Sequence, residues 1–167
     1  MSARAAGPAG RVEEAYRGET RRSEGAWRRA LGVFPSGVSG NAKFFAPYPV
    51  FVERAQGSRF WDVDGNEYVD LLMGAGPLLL GHGHPRVVAA VREAAGLLNP
   101  MMPTVGAVDL AERIRGHMPY LERLRFTNTG SEATRTAVRI ARAVTGRPLV
   151  VKAEGNYHGA DDVFLVS

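Results

Sequence analysis

The chain has 167 residues, of which 45% are hydrophobic, 8% aromatic and 23% charged, a composition typical of a globular protein with a sizeable core. This composition excludes wholesale disorder, a collagen-like fibre and a coiled coil. The absence of cysteine excludes disulfides, thiolate metal ligands and a cysteine nucleophile. The net charge of +4 comes from arginines scattered beside acidic residues, so it does not indicate a nucleic-acid partner.

The sequence gives no support for membrane insertion or secretion. No apolar run reaches the roughly 20 residues that span a bilayer, and the first residues lack an apolar signal segment. We therefore expect a cytoplasmic protein without a membrane partner. The Ala, Gly and Pro content of residues 1–10 predicts a frayed terminus, and residues 12–31 are compatible with a helix that Gly18 and Gly25 weaken.

After an irregular, proline-containing loop over residues 32–49, the apolar residues alternate with a period of two. Three short strands are predicted at residues 50–53, 59–63 and 67–71. The step from Asp64 to Gly65 supplies the positive φ of a tight turn, so we predict a small antiparallel meander with a scaffolding role.

The helical periodicity predicts two helices, over residues 85–97 and 108–118. Pro85 suits the first position of the first of these helices. The last third reads as strand, helix and strand over residues 121–128, 132–145 and 148–153, with a third strand starting at residues 163–166. Two strands joined by a crossover helix imply a parallel sheet.

Residues 129–132 form the strongest local motif, a tight loop that opens a helix. The unpaired amides and positive dipole of such a terminus suit a phosphate, and Gly130 permits close approach. The same residues also fit a capping box, in which Thr129 and Glu132 satisfy those amides without a ligand. The loop has neither a nucleoside-triphosphate-binding motif nor a dinucleotide fingerprint. From the local residues alone, phosphate binding and a capping box without a ligand both stay open.

Other polar motifs are less specific. Tyr157 follows the next predicted strand and would lie at the carboxyl edge of the sheet, where it either stacks on a flat cofactor or belongs to a surface loop. His82 and His84 lack a third ligand, so we predict no metal site. Asp161 and Asp162 either cap a helix or are solvated, and the second interpretation is favoured.

Four segments in this order make the chain resemble the N-terminal part of the class III (fold type I) pyridoxal-phosphate-dependent aminotransferases. They are residues 61–70 (WDVDGNEYVD), 80–85 (LGHGHP), 125–133 (RFTNTGSEA) and 155–159 (GNYHG). The resemblance covers residues 31–167, and the glutamate-1-semialdehyde aminomutases are similar members of this family. It favours cofactor binding at both ambiguous loops.

The resemblance implies pyridoxal 5'-phosphate as the cofactor and assigns roles to six residues. Thr129, Gly130 and Ser131 would hold the phosphate, Glu132 would lie close to the cofactor, and Tyr157 would stack on the ring with His158 beside it. The substrates would be a small-molecule amino donor and acceptor, or an amino-aldehyde. The intact protein would be a homodimer.

Catalytic residues of the family are not matched in this chain. The family uses a Schiff-base lysine and an aspartate on the ring nitrogen, and both come later in its sequences. Lys43 and Lys152 are the only lysines here, and neither lies at the Schiff-base position. The family's chains are more than twice as long, so we expect a fragment that is inactive alone. The alternative is a non-catalytic remnant acting in binding or assembly.

Two departures concern the substrate. Lys43 stands where the aminomutases carry an arginine that grips a carboxylate, and a lysine cannot form the same bidentate fork. Lys43 either pairs with an anionic substrate group or is solvent-exposed. Gly74 and Ala75 stand where the aminomutases have Ser-Trp, which removes an indole from the implied substrate wall.

The expected architecture is an α/β fold cut short. The family implies an N-terminal tail and helix over residues 1–31, a small α/β segment with the meander and a linker over residues 32–105, and the start of the large, mainly parallel-sheet domain over residues 106–167.

Overall fold

A computed structural model of the protein describes residues 7–97 and 101–165. The chain divides between residues 98 and 99 into two compact units. The three-part division predicted from the family stays a prediction. The first unit contains helices α1 (Pro8–Glu19), α2 (Arg21–Ala30) and α3 (Pro85–Ala95) and strands β1 (Val52–Gln56), β2 (Arg59–Asp62) and β3 (Glu67–Val69). The second contains α4 (Val105–His117), α5 (Gly130–Thr145) and α6 (Asp162–Leu165).

The N-terminal helical stretch is two helices and not one. Residues 1–6 of the predicted frayed terminus lie outside the described residues, but α1 already begins at Pro8, so the expectation is wrong for the rest of that segment. The break falls at Thr20, whose hydroxyl donates to the Tyr16 carbonyl at 2.6 Å. Gly18 and Gly25 both lie inside helices. A glycine lowers helix stability, but unlike Thr20 it has no side chain that competes for a backbone hydrogen bond, so it does not end the helix.

The predicted antiparallel meander is confirmed. Strand β2 lies between β1 and β3, with Trp61 opposite Glu67 and Phe60 opposite Tyr68. The rings of Phe60 and Tyr68 stack with their centroids 4.9 Å apart. Gly65 has the predicted positive φ, +94°, in the turn between β2 and β3.

Asp62 at the end of β2 is fully buried, and its carboxylate accepts four hydrogen bonds. The donors are the amides of Asp64 (3.0 Å) and Asn66 (2.8 Å), the Asn66 side chain (3.0 Å) and the Tyr68 hydroxyl (2.8 Å). Burial alone raises the pKa of the Asp62 carboxyl, but these donors outweigh it and hold the pKa below its usual value. Burial and the bond to Asp62 raise the pKa of Tyr68 to about 12.

The turn after β2 also holds the two N-terminal helices. The Asp64 carboxylate accepts from the amides of Arg22 at 2.6 Å and Ser23 at 2.9 Å, so it caps the first turn of α2 from 41 positions away. The Asn66 side chain donates to the Glu19 carbonyl at the end of α1 (2.8 Å). The meander therefore fixes both helix ends through hydrogen bonds.

A second pair of contacts attaches residues 80–85 to the meander. Gly57 and His82 exchange two backbone hydrogen bonds, at 2.9 and 2.8 Å. A Cβ on Gly81, which has φ +82°, would lie 2.9 Å from the Gly57 Cα, so only glycine fits this approach. The His82 ring nitrogen Nε2 lies 2.6 Å from an oxygen of Asp70. That hydrogen bond, followed by the Met73 amide, lowers the pKa of Asp70.

Helices α3, α4 and α5 confirm the three helices predicted for the rest of the chain, although α4 begins three residues earlier than expected. Helix α5 ends at Gly146 in a left-handed conformation with φ +68°, as the sequence predicts. The parallel strands over residues 121–128 and 148–153 are wrong: within the described residues these segments belong to no sheet. Their apolar pattern is that of a strand, but a strand needs a neighbour to pair with.

The predicted third strand is also wrong, because residues 162–165 form the short helix α6, while Val166 lies outside the described residues. Asp161 explains the difference. Its carbonyl accepts from the amides of Phe164 and Leu165, and its carboxylate lies 3.3 Å from the Val163 amide. Asp161 is therefore a helix cap, not the solvated side chain that the sequence favoured.

Within residues 7–97 and 101–165, the sizeable core expected from the composition is not formed. Among the described residues, the only buried hydrophobic side chains are Tyr48 and Phe164. The apolar faces of the helices are open: Val91 of α3 is 61% exposed, and Val144 of α5 is 81% exposed. None of the helices in the described part of the chain is long and apolar enough to cross a membrane.

We predict that Asp62 makes the first unit sensitive to acid. Because its folded pKa is lowered, its contribution to the free energy of unfolding is complete above about pH 4 and is lost as the pH falls through the folded pKa. Urea unfolding followed by the fluorescence of Trp27 and Trp61, both in this unit, measures it at each pH. Asp62→Asn should lose about 2 kcal/mol near neutral pH and flatten the acid limb.

The control for that experiment is Asp109→Asn, which changes an exposed carboxylate of α4. It should leave both the neutral stability and the acid limb of the first unit unchanged. An acid limb in Asp62→Asn as steep as in the wild type contradicts the assignment of acid sensitivity to Asp62.

Tyr68 adds an alkaline limb to the same pH profile. Because its pKa is raised, stability that is present below about pH 10 is lost as the pH rises toward 12.

We predict that Gly81→Ala destabilises the first unit much more than Gly83→Ala. Both glycines have positive φ, so each alanine costs about 1–2 kcal/mol in backbone strain. Only at Gly81 does the added Cβ meet the Gly57 backbone, whereas at Gly83 the nearest atom is 4.0 Å away. The same fluorescence assay should show roughly 2 kcal/mol of extra loss for Gly81→Ala. Equal losses would mean that the close approach is unimportant.

Candidate functional site

The N-terminus of α5 carries the capping box that the sequence suggested as one of two interpretations. The Thr129 hydroxyl accepts from the Glu132 amide at 3.1 Å. The Glu132 carboxylate accepts from the Asn128 amide at 2.8 Å, one residue before the position that the simple motif uses. The box therefore uses the Glu132 amide, and it fixes both Thr129 and Glu132 at the start of the helix.

Two backbone donors of the first turn stay available. Within the described residues, the amides of Gly130 and Ser131 have no hydrogen-bond acceptor. Gly130 offers open space, because a Cβ built there meets no atom within 4 Å. Free amides at the positive end of a 16-residue helix fit a phosphate group, so capping and anion binding are compatible here.

The loop with Tyr157 and His158 packs directly on this helix terminus. The Ser131 hydroxyl accepts from the Ala160 amide at 2.9 Å. Gly159 is buried with φ +103°, and a Cβ there would lie 2.7 Å from the Ser131 hydroxyl and 2.8 Å from its Cα. Thr134 Oγ1 lies 2.9 Å from the His158 carbonyl. The structure thus brings together the two loops that the sequence expected at one edge, although without the sheet.

The two ring side chains of that loop differ in their surroundings. Tyr157 is 79% exposed, so the face of its ring is accessible to a flat molecule. His158 is half-buried, and its ring lies 6.0 Å from the ring of Phe164 at a tilt of 53°. Both line an open cavity of about 380 Å³ that also includes Lys152 and Asn156.

Sequence reasoning missed the contacts that join the two loops. Thr134 and Gly159 make the contacts described above, and Asp161 lies 3.6 Å from Arg135 of α5 as an ion pair. Thr134 had a usable signal, since it follows Thr129 within two turns on the face that carries Gly130. The close approach at Gly159 has no local signal, because it depends on a residue 28 positions earlier.

The predicted substrate residues lie in the first unit. Lys43 is exposed, and its ammonium donates to the Ser39 hydroxyl at 3.1 Å. It lines a cleft of about 500 Å³ together with Asp70, His82 and the ring of Phe60. The cleft combines a cation, an acid–imidazole pair and aromatic walls, which suits a small polar molecule.

Gly74 and Ala75 lie in the turn over residues 71–77 and do not line the Lys43 cleft, which reaches only Leu71 and Leu72 at the start of that turn. Both have positive φ, +66° and +64°. The Asp70 carboxylate anchors the turn by accepting from the amides of Leu72 and Met73, each at 2.8 Å. Ala75 thus adopts a conformation that favours glycine.

The histidines of residues 80–85 have separate roles. His82 binds Asp70, as described above, and His84 precedes the first residue of α3. No group of three or more potential metal ligands is found among residues 7–97 and 101–165. His84 Nδ1 is buried and has no hydrogen-bond partner in the described part of the chain.

Comparison with known proteins supplies the family. A model of the class-III aminotransferases matches residues 42–166. Over 146 residues the chain is 49% identical to a glutamate-1-semialdehyde 2,1-aminomutase of Methanothermobacter thermautotrophicus, a match that covers 87% of this chain and 35% of that protein. The chain therefore spans about a third of the length of the curated relatives it matches.

Solved structures are also similar to the chain. A transaminase with pyridoxal phosphate bound is 41% identical, with a TM-score of 0.83 over 87% of this chain and 34% of that one. A glutamate-1-semialdehyde aminomutase of Pseudomonas aeruginosa PAO1 is 27% identical, with a TM-score of 0.84 over 90% of this chain and 34% of that one. The expected fold class is thus confirmed as part of the fold-type-I α/β architecture. The chain belongs to the class-III aminotransferase family.

Proposed function

We propose that the chain is the phosphate-anchoring portion of a pyridoxal-phosphate-dependent aminotransferase or aminomutase-like enzyme. The reaction would transfer an amino group on an amino/keto or amino-aldehyde substrate. Family membership and the similarity to glutamate-1-semialdehyde aminomutases and transaminases support this proposal.

One observation carries the proposal: two amides without acceptors, those of Gly130 and Ser131, at the N-terminus of α5, with the Tyr157 loop packed against them. A phosphate accepts hydrogen bonds from such amides and is stabilised by the helix dipole. The Thr129 and Ser131 hydroxyls each accept one bond from a backbone amide, so each keeps its proton for donation to the phosphate.

The remaining residues orient the cofactor. Tyr157 is exposed and would stack on the ring, and the half-buried His158 would stand beside it. Glu132 is held by the Asn128 amide and would lie close to the ring. When bound, pyridoxal phosphate supplies an electrophilic carbonyl and an electron-accepting ring for the chemistry at the substrate carbon.

Substrate binding, assembly and location complete the proposal. Lys43 would pair with an anionic group of the substrate, and Gly74 and Ala75 would leave a more open wall than a Ser-Trp pair. The intact enzyme would be a cytoplasmic homodimer. Open apolar faces on α3 and α5 support burial against further polypeptide.

We predict that the 167-residue chain binds pyridoxamine 5'-phosphate, which cannot react with lysine. The amide resonances of Gly130 and Ser131 should shift saturably in a titration followed by NMR, because these donors bind the phosphate. Inorganic phosphate should compete, and the amide of Gly65 in the first unit should not shift. A titration without saturable shifts at Gly130 and Ser131 contradicts the proposed site.

Matched glycine variants control for the position of the Tyr157 loop. Gly159→Ala should weaken binding at least about tenfold, because the new Cβ collides with Ser131. Gly155→Ala also places alanine at a positive φ, +76°, but its Cβ meets no atom within 4 Å. It should bind within about threefold of the wild type. An equal loss in both variants would assign the effect to backbone strain alone.

A further prediction concerns the lysines. Lys152 donates to the Phe164 carbonyl and Lys43 donates to the Ser39 hydroxyl, and neither stands where the family carries its Schiff-base lysine. Pyridoxal phosphate followed by borohydride should therefore label neither lysine stoichiometrically, and the chain alone should be inactive. Peptide mass spectrometry measures the labelled fraction, with free lysine as a positive control for the reagent. One full equivalent on either lysine contradicts this prediction.

A further inference from the structure

We propose that Lys152 is a positioning residue, which holds the Tyr157–His158 loop against the N-terminus of α5 through α6. This inference rests on the proposed function, because that loop is the proposed ring-binding element. Its role differs from that of the lysine that carries the cofactor in the family.

Lys152 is bonded to the backbone of α6. Its ammonium donates to the Phe164 carbonyl at 2.8 Å, and the side chain is half-buried. Phe164 is the last residue but one of α6, so a cation is placed at the carbonyl end of this single-turn helix. Such a charge-assisted bond is worth more than a neutral one, and removing it leaves a carbonyl without its donor.

Phe164 lies buried beside His158. Its side chain is only 8% exposed, one of two buried hydrophobic side chains in the described part of the chain. Its ring lies 6.0 Å from the His158 ring. Lys152 fixes the backbone of Phe164, so it also fixes the apolar surface against which His158 rests.

The Tyr157–His158 loop is attached to α5 by several contacts. Ala160 donates to Ser131, the His158 carbonyl lies within hydrogen-bond distance of Thr134, and Gly159 contacts Ser131. The loop is therefore held on both sides, by α5 on one and by Phe164 on the other. Among the contacts described for α6, the hydrogen bond from Lys152 is the one that links α6 to the segment before the loop. Losing this bond should therefore loosen the packing of the loop against Phe164.

The experiment compares Lys152→Met, which keeps an unbranched chain without the charge, with Lys152→Arg, which restores a cationic donor. The matched control is Arg142→Met, since Arg142 Nε also donates to a carbonyl, that of Pro148 at 2.8 Å, at the other end of α5. The readouts are hydrogen exchange of the Ala160 amide and the affinity for pyridoxamine 5'-phosphate. Exchange of the Gly146 amide, bonded to the Arg142 carbonyl at 2.8 Å, serves as the reference in the wild type and the Lys152 variants.

In Lys152→Met we expect Ala160 exchange to accelerate and ligand affinity to fall, each by about tenfold, with Gly146 unchanged. Lys152→Arg should recover most of both, and Arg142→Met should leave both at the wild-type values. Unchanged Ala160 exchange in Lys152→Met overturns the inference. So does equal acceleration at Ala160 and Gly146, because that indicates general unfolding of the unit.

The two proposals fail in different ways. If the wild-type chain does not bind pyridoxamine 5'-phosphate, the proposed cofactor site fails, and Ala160 exchange still decides whether Lys152 positions the loop. If the wild type binds and Lys152→Met binds equally well with unchanged exchange, the cofactor site stands and the inference about Lys152 fails.

Discussion

The buried carboxylate of Asp62 is the interaction on which the first unit depends. A charge without solvent contact is tolerated only when donors surround it, and four donors from three residues do so here. These donors force the chain after β2 into the turn that points Asp64 at the amides of α2 and Asn66 at the end of α1. One buried acceptor thus sets the turn, and the turn sets the two helices.

Close contacts that require glycine fix the position of chain segments at two other places. Gly81 lets residues 80–85 approach the backbone of Gly57, and Gly159 lets the Tyr157 loop approach Ser131. In each case a hydrogen bond lies beside the approach, from His82 to Gly57 and from Ala160 to Ser131. The missing side chain sets how close the segments come, and the hydrogen bond sets their register. This explains why both glycines lie within the motifs that carry the family resemblance.

The sequence predicted the elements whose signals are local. The meander and the start of α3 at Pro85 follow from alternation and backbone preference. The capping box of α5, one of two interpretations that the sequence left open, depends on residues within four positions of each other. The strands at residues 121–128 and 148–153 were predicted wrongly because their pattern specifies a pleated segment but not its partner. The close approach at Gly159 and the cap supplied by Asp64 were missed for a related reason, since each depends on a residue 28 or more positions away.

The difference between local and distant contacts also explains how the candidate phosphate site forms although the helix that carries it has an exposed apolar face. Ile140 and Val144 of α5 are 57% and 81% exposed, so packing does not fix the helix. Its first turn is fixed instead by Thr129, Glu132 and the loop that ends in α6, all within residues 128–164. Polar contacts over this short range need no distant strand to form. A first turn with two free amides and a packed loop can therefore be encoded in a segment that leaves its apolar surfaces uncovered.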